Sequence, residues 1–298
     1  MTDPKPLRIL DAFGPDLEHA TLVAVHPDET HDANGDPVAE RRTLLLSLSG
    51  DAATFVEQVP LALTQCWTSA NGTVYFGKVG SNALSVRSGG EWHEEIFSDD
   101  PVGYVRFLWG MSGATPREDR LFISSMDGVF IRSADGWVRH DAPGEGFPHQ
   151  IHGRKPDEVY IGGDQLVQYD GTALVELEGP DDDAIPALWV TQDDRLLGGD
   201  TRLSITNADG GWERIATKIG DFLVMAEFGG HVYAATYEGG VARVHPGVPE
   251  RVTPEFDVDR VVSFSDGLVA PGEPHSMVFD GQTWRSISVP TCHVGATP

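Results

Sequence analysis

The feature that most constrains this chain is a unit that recurs seven times. Each unit ends in a short run that follows a turn; the clearest, at 134–141, reads Ala-Asp-Gly-Trp-Val-Arg-His-Asp. The residues that open the seven runs are Phe55, Trp92, Trp137, Leu174, Trp212, Pro249 and Trp284. Their spacings are 37, 45, 37, 38, 37 and 35 residues. A period this regular predicts a repeat architecture.

Turn residues and short strand-like segments define what one unit contains. Asp-Gly stands before the final run at 135–136, 170–171, 209–210 and 280–281, and this dipeptide supplies the positive φ angles of a two-residue hairpin turn. The third unit holds four segments with strand character, at 104–110, 120–124, 128–132 and 137–140. Helical periodicity is not sustained anywhere. Seven units of four antiparallel strands predict an all-β, seven-bladed β-propeller.

We expect a single propeller domain over residues 1–298. Its blades are predicted at approximately 7–60, 61–100, 101–142, 143–180, 181–218, 219–255 and 256–290. Neither terminus leaves a clear extra strand that would interlock the ring. The tail at 291–298 is a doubtful closing strand because it contains Gly and Pro, which weaken strands.

Several motifs resemble known propeller repeats. Leu108-Trp109-Gly110 and the segment Asp-Glu-Val-Tyr-Ile-Gly-Gly at 157–163, followed by an Asp-Gly turn, resemble bacterial repeats of the Asp-box and kelch-like groups. The turns are degenerate Asp-boxes because Asp135 lies too close to Trp137. The Arg-Ile-Pro motif of sialidases is absent from the sequence. The chain also resembles stand-alone propellers that act as adaptor or immunity proteins, which implies a binding role.

Composition limits the classes of partner. The formal net charge is −25, from 46 acidic and 21 basic residues, and such a field repels nucleic acids and anionic membranes. Cys66 and Cys292 are the only cysteines, so neither a disulfide framework nor a cysteine zinc motif is expected. The chain begins without a signal-like segment and has no apolar run near the length of a membrane span. We expect a cytoplasmic protein that is monomeric on its own.

Propeller topology predicts where the acidic residues lie. Connections between blades share one face, here called the interblade face, with the loops between second and third strands. The other loops form the hairpin face, where charges of both signs mix at 116–120 and 154–158. The candidate binding residues on the interblade face are Asp28, Asp32, Asp36, Asp99, Asp100, Asp141, Glu145, Asp181, Asp182, Asp183, Asp257 and Asp259. A surface of one sign favours an oppositely charged partner, although acidic loops can also serve solubility alone.

A second candidate site lies at the predicted channel. Asp11, His152 and Glu227 occupy one repeat position of the innermost strands, together with Trp67, Trp109, Trp189 and Ser263. Carboxylates and an imidazole could hold a divalent metal there, as in metal-dependent propeller lactonases. The alternative is that they are polar residues lining a channel. The tryptophans are expected to pack between blades.

These patterns predict a non-catalytic scaffold whose acidic face engages a basic protein partner, such as an immunity or adaptor protein for a toxin or effector. No catalytic residue and no cofactor is assigned. The alternative is a metal-dependent hydrolase or lactonase working at the channel. A third possibility is a carbohydrate-binding propeller, against which deep burial of Trp92, Trp137, Trp212 and Trp284 would count.

Overall fold

Seven four-stranded antiparallel sheets make up the fold, which confirms the predicted all-β, seven-bladed propeller. The structure, a computed structural model, describes residues 5–26, 42–100, 102, 105–125, 128–141, 148–180, 184–237 and 239–292. Within these ranges all regular secondary structure is strand, and no helix is present that could cross a membrane. Each sheet runs in chain order from the channel outward, and in six of the seven sheets the four strands are consecutive in sequence.

The strands follow one another blade by blade, after a short first strand β1 (Lys5–Pro6). Blade 1 comprises β2 (Arg8–Phe13), β3 (Thr21–Val25), β4 (Thr43–Ser49) and β5 (Ala52–Val59). Blade 2 comprises β6 (Leu63–Thr68), β7 (Val74–Lys78), β8 (Ala83–Ser88) and β9 (Glu91–Ile96). Blade 3 comprises β10 (Val105–Met111), β11 (Arg120–Ser125), β12 (Gly128–Ser133) and β13 (Gly136–His140). Blade 4 comprises β14 (Pro148–Lys155), β15 (Glu158–Gly163), β16 (Leu166–Tyr169) and β17 (Leu174–Leu177).

The remaining blades keep this order, with two extra short strands. Blade 5 comprises β18 (Ala187–Val190), β19 (Leu196–Gly199), β20 (Leu203–Thr206) and β21 (Trp212–Ile215). Blade 6 comprises β22 (Phe222–Phe228), β23 (His231–Thr236), β24 (Gly240–His245) and β25 (Glu250–Arg251). Then come β26 (Asp257–Val258), β27 (Val262–Phe264), β28 (Gly267–Ala270), β29 (Gly272–Glu273), β30 (Met277–Phe279), β31 (Trp284–Ser286) and β32 (Thr291–Cys292). Blade 7 is the sheet β27-β28-β30-β31, while β26 pairs with β29 and β1 with β32.

The position of a strand within its blade explains its residue pattern. Second strands lie between neighbouring blades and are covered on both sides, so β7 and β19 are buried along their full lengths. Strands covered on both faces read as continuous apolar runs. Outer strands such as β9 and β17 have solvent on one side and no fully buried residue. The apolar core is therefore distributed around the ring, between adjacent blades.

The outer-strand tryptophans anchor blades to one another and are half-buried rather than deeply buried. The indole Nε1 of Trp137 donates to Glu95 of blade 2 at 2.8 Å, and that of Trp212 donates to the carbonyl of Glu178 in the connection after blade 4 at 2.9 Å. The glycine that precedes Trp137 has a φ of 115°. This left-handed conformation, which glycine adopts without strain, is the one expected for the turn.

The last residues of the described chain close the ring onto blade 1. Ser288 exchanges backbone hydrogen bonds with Asp51 and Ala53 at 2.7 and 2.8 Å. Further along, β32 pairs with β1. The doubt about a closing strand was therefore wrong for Thr291–Cys292. Pro290 is compatible with this closure because it takes part through its carbonyl, which accepts the hydrogen bond from the amide of Leu7 at 3.2 Å. Proline has no backbone N–H, and none is needed at this position.

Truncating Ile287 should weaken this closure. Ile287 is 4% exposed and packs in the cluster that joins blades 1 and 7. We expect Ile287→Ala to lower the free energy of unfolding by about 3 kcal/mol, since deletion of buried methyl groups leaves a cavity. Urea unfolding gives the value, with Ile96→Ala as control because Ile96 is 67% exposed on an outer strand. Equal effects of the two substitutions would contradict the closing role of this segment.

Candidate functional site: the interblade face and the central channel

Backbone hydrogen bonds show that connections between blades and second-to-third loops lie on one face. Each of four such bonds joins a residue of a connection to the loop beside it. They run from Phe97 to Asn82, Ile185 to Gly163, Phe222 to Asp200 and Gly240 to Phe256, at 2.9, 2.7, 2.9 and 3.0 Å. In the same way β26, in the connection between blades 6 and 7, pairs with β29, in the second-to-third loop of blade 7. The second-to-third loops of blades 2, 4, 5, 6 and 7 therefore lie on the same face as the connections beside them.

Four of the predicted acidic residues are solvent-exposed on this face. Asp99, Asp100 and Asp257 form no ion pair within the described ranges. Asp141 contacts Arg139 at 3.1 Å, but its side chain remains 86% exposed. Exposed ion pairs contribute little and are easily exchanged, so all four carboxylates are accessible to a partner.

Asp259 has a different environment from the one expected. Its carboxylate pairs with Arg8 at 2.9 Å, and the same guanidinium pairs with Glu273 at 2.9 Å. Arg8 begins blade 1, so this pair ties the connection before blade 7 to the ring closure. Asp259 therefore differs from Asp99, Asp100 and Asp257 in having an ion-pair partner, which it shares with Glu273. Sequence reasoning missed Arg8 and Glu273, because nothing local to either residue indicates a contact over about 250 positions.

Some predicted residues lie outside the described ranges, and others were missed. The former are Asp28, Asp32, Asp36, Glu145, Asp181, Asp182 and Asp183. Sequence reasoning did not single out Asp164 or Tyr237, both exposed on the interblade face. The amide of Tyr237 donates to the carbonyl of Asp221 at 2.9 Å, which ties this loop to the start of blade 6. Exposed Lys218 and Arg202 are basic residues on the same face.

The three predicted metal ligands do not form a cluster. No group of three or more His, Cys, Asp or Glu side chains arranged for a metal occurs among the described residues. Asp11 instead accepts hydrogen bonds from the amides of Cys66 and Ala12, at 2.8 and 2.9 Å, and pairs with Arg260. Burial raises the pKa of Asp11, opposed by the charge of Arg260 and by these hydrogen bonds. Its oxygens are thus already used within the protein.

His152 and Glu227 are likewise committed to neighbouring strands. The Nδ1 atom of His152 accepts the amide of Val190 at 3.0 Å, and its ring stacks on Trp189 with centroids 3.6 Å apart. Burial, aided by the charge of Arg154, lowers the pKa of His152 to about 3, so the imidazole is neutral at pH 7. Glu227 accepts from Gln192 and from the indole Nε1 of Trp189, the latter at 3.2 Å.

These contacts belong to a wider set that links adjacent inner strands. Gln65 accepts the amide of Leu108 at 3.2 Å, and Gln150 accepts the amide of Leu188 at 2.9 Å. Asp11 and His152 make equivalent side-chain bonds to the next blade. Such bonds satisfy inner-strand amides that have no strand neighbour across the channel. Sequence reasoning missed both glutamines, although each stands two residues before a singled-out position and so on the same side of its strand.

The channel contains a cavity of about 550 Å³ lined by residues from the inner strands of all seven blades. Trp67, Trp109 and Trp189 contribute indole surface to it, while Asp11 and Arg260 lie at its edge. Two of the same tryptophans pack between blades, as expected: Trp109 of blade 3 contacts His152 of blade 4 with centroids 5.7 Å apart, and Trp189 of blade 5 stacks on that imidazole at 3.6 Å. The tryptophans therefore serve packing and cavity lining together.

Comparison with known proteins supports the fold and leaves the family open. No protein-family model and no curated protein matches the chain. A catalytically inactive variant of virginiamycin B lyase from Staphylococcus aureus, solved with quinupristin, is 12% identical over 92% of this chain and 94% of the lyase, with a TM-score of 0.67. The WD40 propeller domain of Doa1 is 10% identical over 91% of this chain and 94% of that domain, with a TM-score of 0.64. YCF48 bound to D1 peptide is 13% identical over 91% and 92%, with a TM-score of 0.62. At these identities the chain is similar to all three as a seven-bladed propeller, and the likeness carries the fold alone.

Proposed function

We propose that this protein is a non-catalytic scaffold that binds a basic protein partner on its interblade face. The observation that carries the proposal is the set of exposed carboxylates of Asp99, Asp100 and Asp257 on that face, which have no ion-pair partner among the described residues. A chain with a net charge of −25 adds a long-range attraction for cationic proteins.

Three acidic residues of the hairpin face lie in local ion pairs. There Lys155 pairs with Glu158 at 2.6 Å, Arg195 with Asp193 at 2.7 Å, and Arg285 with Asp280 at 3.2 Å. Local pairing cancels the field of these acids at a distance. Each of the unpaired carboxylates of Asp99, Asp100 and Asp257 therefore attracts a basic surface more strongly than any one of these three paired acids does.

Tyr237 offers an aromatic anchor within the acidic surroundings. Its side chain is 58% exposed next to Asp221. Exposed tyrosines are enriched among the residues that dominate protein interfaces, since they bury a large apolar ring and retain a hydroxyl for hydrogen bonding. We infer that a basic partner would gain orientation from the carboxylates and affinity from this ring.

The comparisons support a binding role in a general way. One neighbour with the same fold is recorded with a bound peptide, and another is a WD40 propeller. Extending the proposal, the protein acts as a cytoplasmic monomer that serves as an adaptor or immunity protein for a basic toxin or effector. This finer role rests on the acidic composition and on the repeat resemblance.

Removing negative charge from the interblade face should weaken binding of the basic partner more than removing the same charge from the hairpin face. We expect the variant Asp99→Asn, Asp100→Asn, Asp257→Asn to bind the basic partner about tenfold more weakly, since each carboxylate contributes roughly 0.5 kcal/mol. The matched control is Asp135→Asn, Asp157→Asn, Asp209→Asn, which removes the same charge from exposed positions of the hairpin face. The partner is isolated on immobilised wild-type protein at low salt, and the dissociation constants are measured by calorimetry. Equal affinities of the two variants would refute the assignment of the face.

A further inference from the structure

The channel cavity opens on the hairpin face, away from the acidic face. Its rim includes the exposed residues Pro15, Ala70, Gly72 and Ser112, all from first-to-second loops of blades 1 to 3. Its volume of about 550 Å³ lies within the range of pockets that hold small molecules, roughly 300–1,000 Å³. A cavity of this size favours a small molecule over a folded partner.

The indole walls are held in place before any ligand arrives. Trp189 is stacked on His152, and its Nε1 donates to Glu227 at 3.2 Å. Trp67 packs on Tyr75 and also approaches Gly110 of the next blade, where an added Cβ would lie 3.0 Å from the indole. A wall fixed in this way loses little side-chain entropy on binding. Flat indole surface favours a flat apolar ring as guest.

The polar pair at the cavity selects against ions. Arg260 and Asp11 neutralise one another, and their side chains are 11% and 1% exposed. Because the pair is neutral overall, neither an anionic nor a cationic guest would find an unpaired counter-charge in it. The guanidinium has five N–H donors, of which Nη1 is bound to Asp11. Because Arg260 also lines the cavity, its other donors can serve a neutral acceptor such as a carbonyl oxygen.

We propose that the channel cavity binds a neutral aromatic small molecule that carries a hydrogen-bond acceptor. The aromatic ring lies against the wall formed by Trp67, Trp109 and Trp189, and the acceptor takes an N–H of Arg260. This site is independent of the proposed protein-binding face, because it opens on the opposite side of the ring.

A matched set of probes tests the proposed class. Naphthalene-2-carboxamide is the neutral aromatic probe, naphthalene-2-carboxylate the anion, 2-naphthyltrimethylammonium the cation, and methyl glucoside the sugar. Titration is followed by calorimetry and by quenching of tryptophan fluorescence. We expect saturable 1:1 binding of the carboxamide with a dissociation constant below about 1 mM, at least about tenfold tighter than that of the other three probes. Absence of carboxamide binding, or tighter binding of the ion or sugar probes, would overturn the proposal.

A rim variant and a control variant test whether the carboxamide binds in the cavity. Ala70→Trp puts a bulky ring at the rim, whereas Ala208→Trp adds the same ring to an exposed hairpin-face turn of blade 5 that does not line the cavity. We expect Ala70→Trp to weaken carboxamide binding at least about tenfold and Ala208→Trp to leave it unchanged. Ser112→Trp, at the neighbouring position of the rim where the Ser112 hydroxyl accepts the amide of Ala70 at 2.8 Å, replaces Ala70→Trp if circular dichroism shows that the latter does not fold. Equal binding by rim and control variants would mean that the ligand lies elsewhere and would overturn the proposal.

Discussion

Arg260→Met is expected to lower the free energy of unfolding by about 3–5 kcal/mol, because it leaves a buried carboxylate without its counter-charge. Asp11 is 1% exposed and pairs with Arg260 across 249 positions of sequence. The arginine precedes blade 7 and the aspartate lies in β2, while the aspartate also accepts the amide of Cys66 in blade 2. The pair therefore couples three blades at the point where the ring closes.

Urea unfolding of single and double variants measures this coupling. The double variant Asp11→Asn, Arg260→Met should cost clearly less than the sum of the single changes, since it removes both charges from the interior. Arg8→Met is the matched control. Arg8 pairs with Asp259 and Glu273, whose side chains are 43% and 50% exposed, so about 1 kcal/mol or less is expected. A cost for Arg260→Met no larger than that control would rule out the proposed coupling.

Acid should destabilise the protein through His152. Its pKa in the folded state is about 3, against an ordinary value of 6.5. A histidine with a depressed pKa binds a proton more readily in the unfolded chain, so stability is fully present above pH 6.5 and falls as the pH drops towards 3. A shift of this size corresponds to a loss of up to about 5 kcal/mol across that window. The raised pKa of Asp11 acts in the opposite direction.

Comparing pH profiles isolates the histidine contribution, because Asp11 is common to all the proteins compared. We expect His152→Asn to be less stable than wild type at pH 7, since it loses the stack on Trp189, but to lose less further stability between pH 6.5 and 4. His140→Asn serves as control, because His140 is only partly buried on an outer strand. Urea unfolding at several pH values provides the slopes. Parallel profiles for wild type and His152→Asn would show that His152 does not titrate as described.

The fold could be predicted because its information is local and repeated. The turn before Trp137 needs a positive φ, Asp-Gly supplies it, and Gly136 has that conformation. The same turn chemistry at Gly171, Gly210 and Gly281 then fixes the period. Ring closure was not predictable in this way, because the pairing of Thr291–Cys292 with Lys5–Pro6 joins opposite ends of the chain. Only two residues of each strand take part, which is too short for a pattern.

The candidate sites were predictable only as far as topology determines them. Topology placed Asp99, Asp100 and Asp257 on one face, but it could not show that Arg8 pairs with Asp259. A shared repeat position placed Asp11, His152 and Glu227 on equivalent inner strands, but it does not determine which partners their side chains choose. Packing against the next blade determines these partners, which are the amides of Cys66 and Val190 and the indole of Trp189.

The most direct test of the central claim is the salt dependence of binding between this protein and its basic partner. The partner is the protein isolated on immobilised wild-type protein at low salt. An electrostatic interface predicts that affinity falls at least about tenfold between roughly 50 and 300 mM NaCl, because salt screens exposed charges. The triple variant should show a flatter dependence. An affinity that stays constant over this range, in wild type and variant alike, would contradict binding through the acidic interblade face.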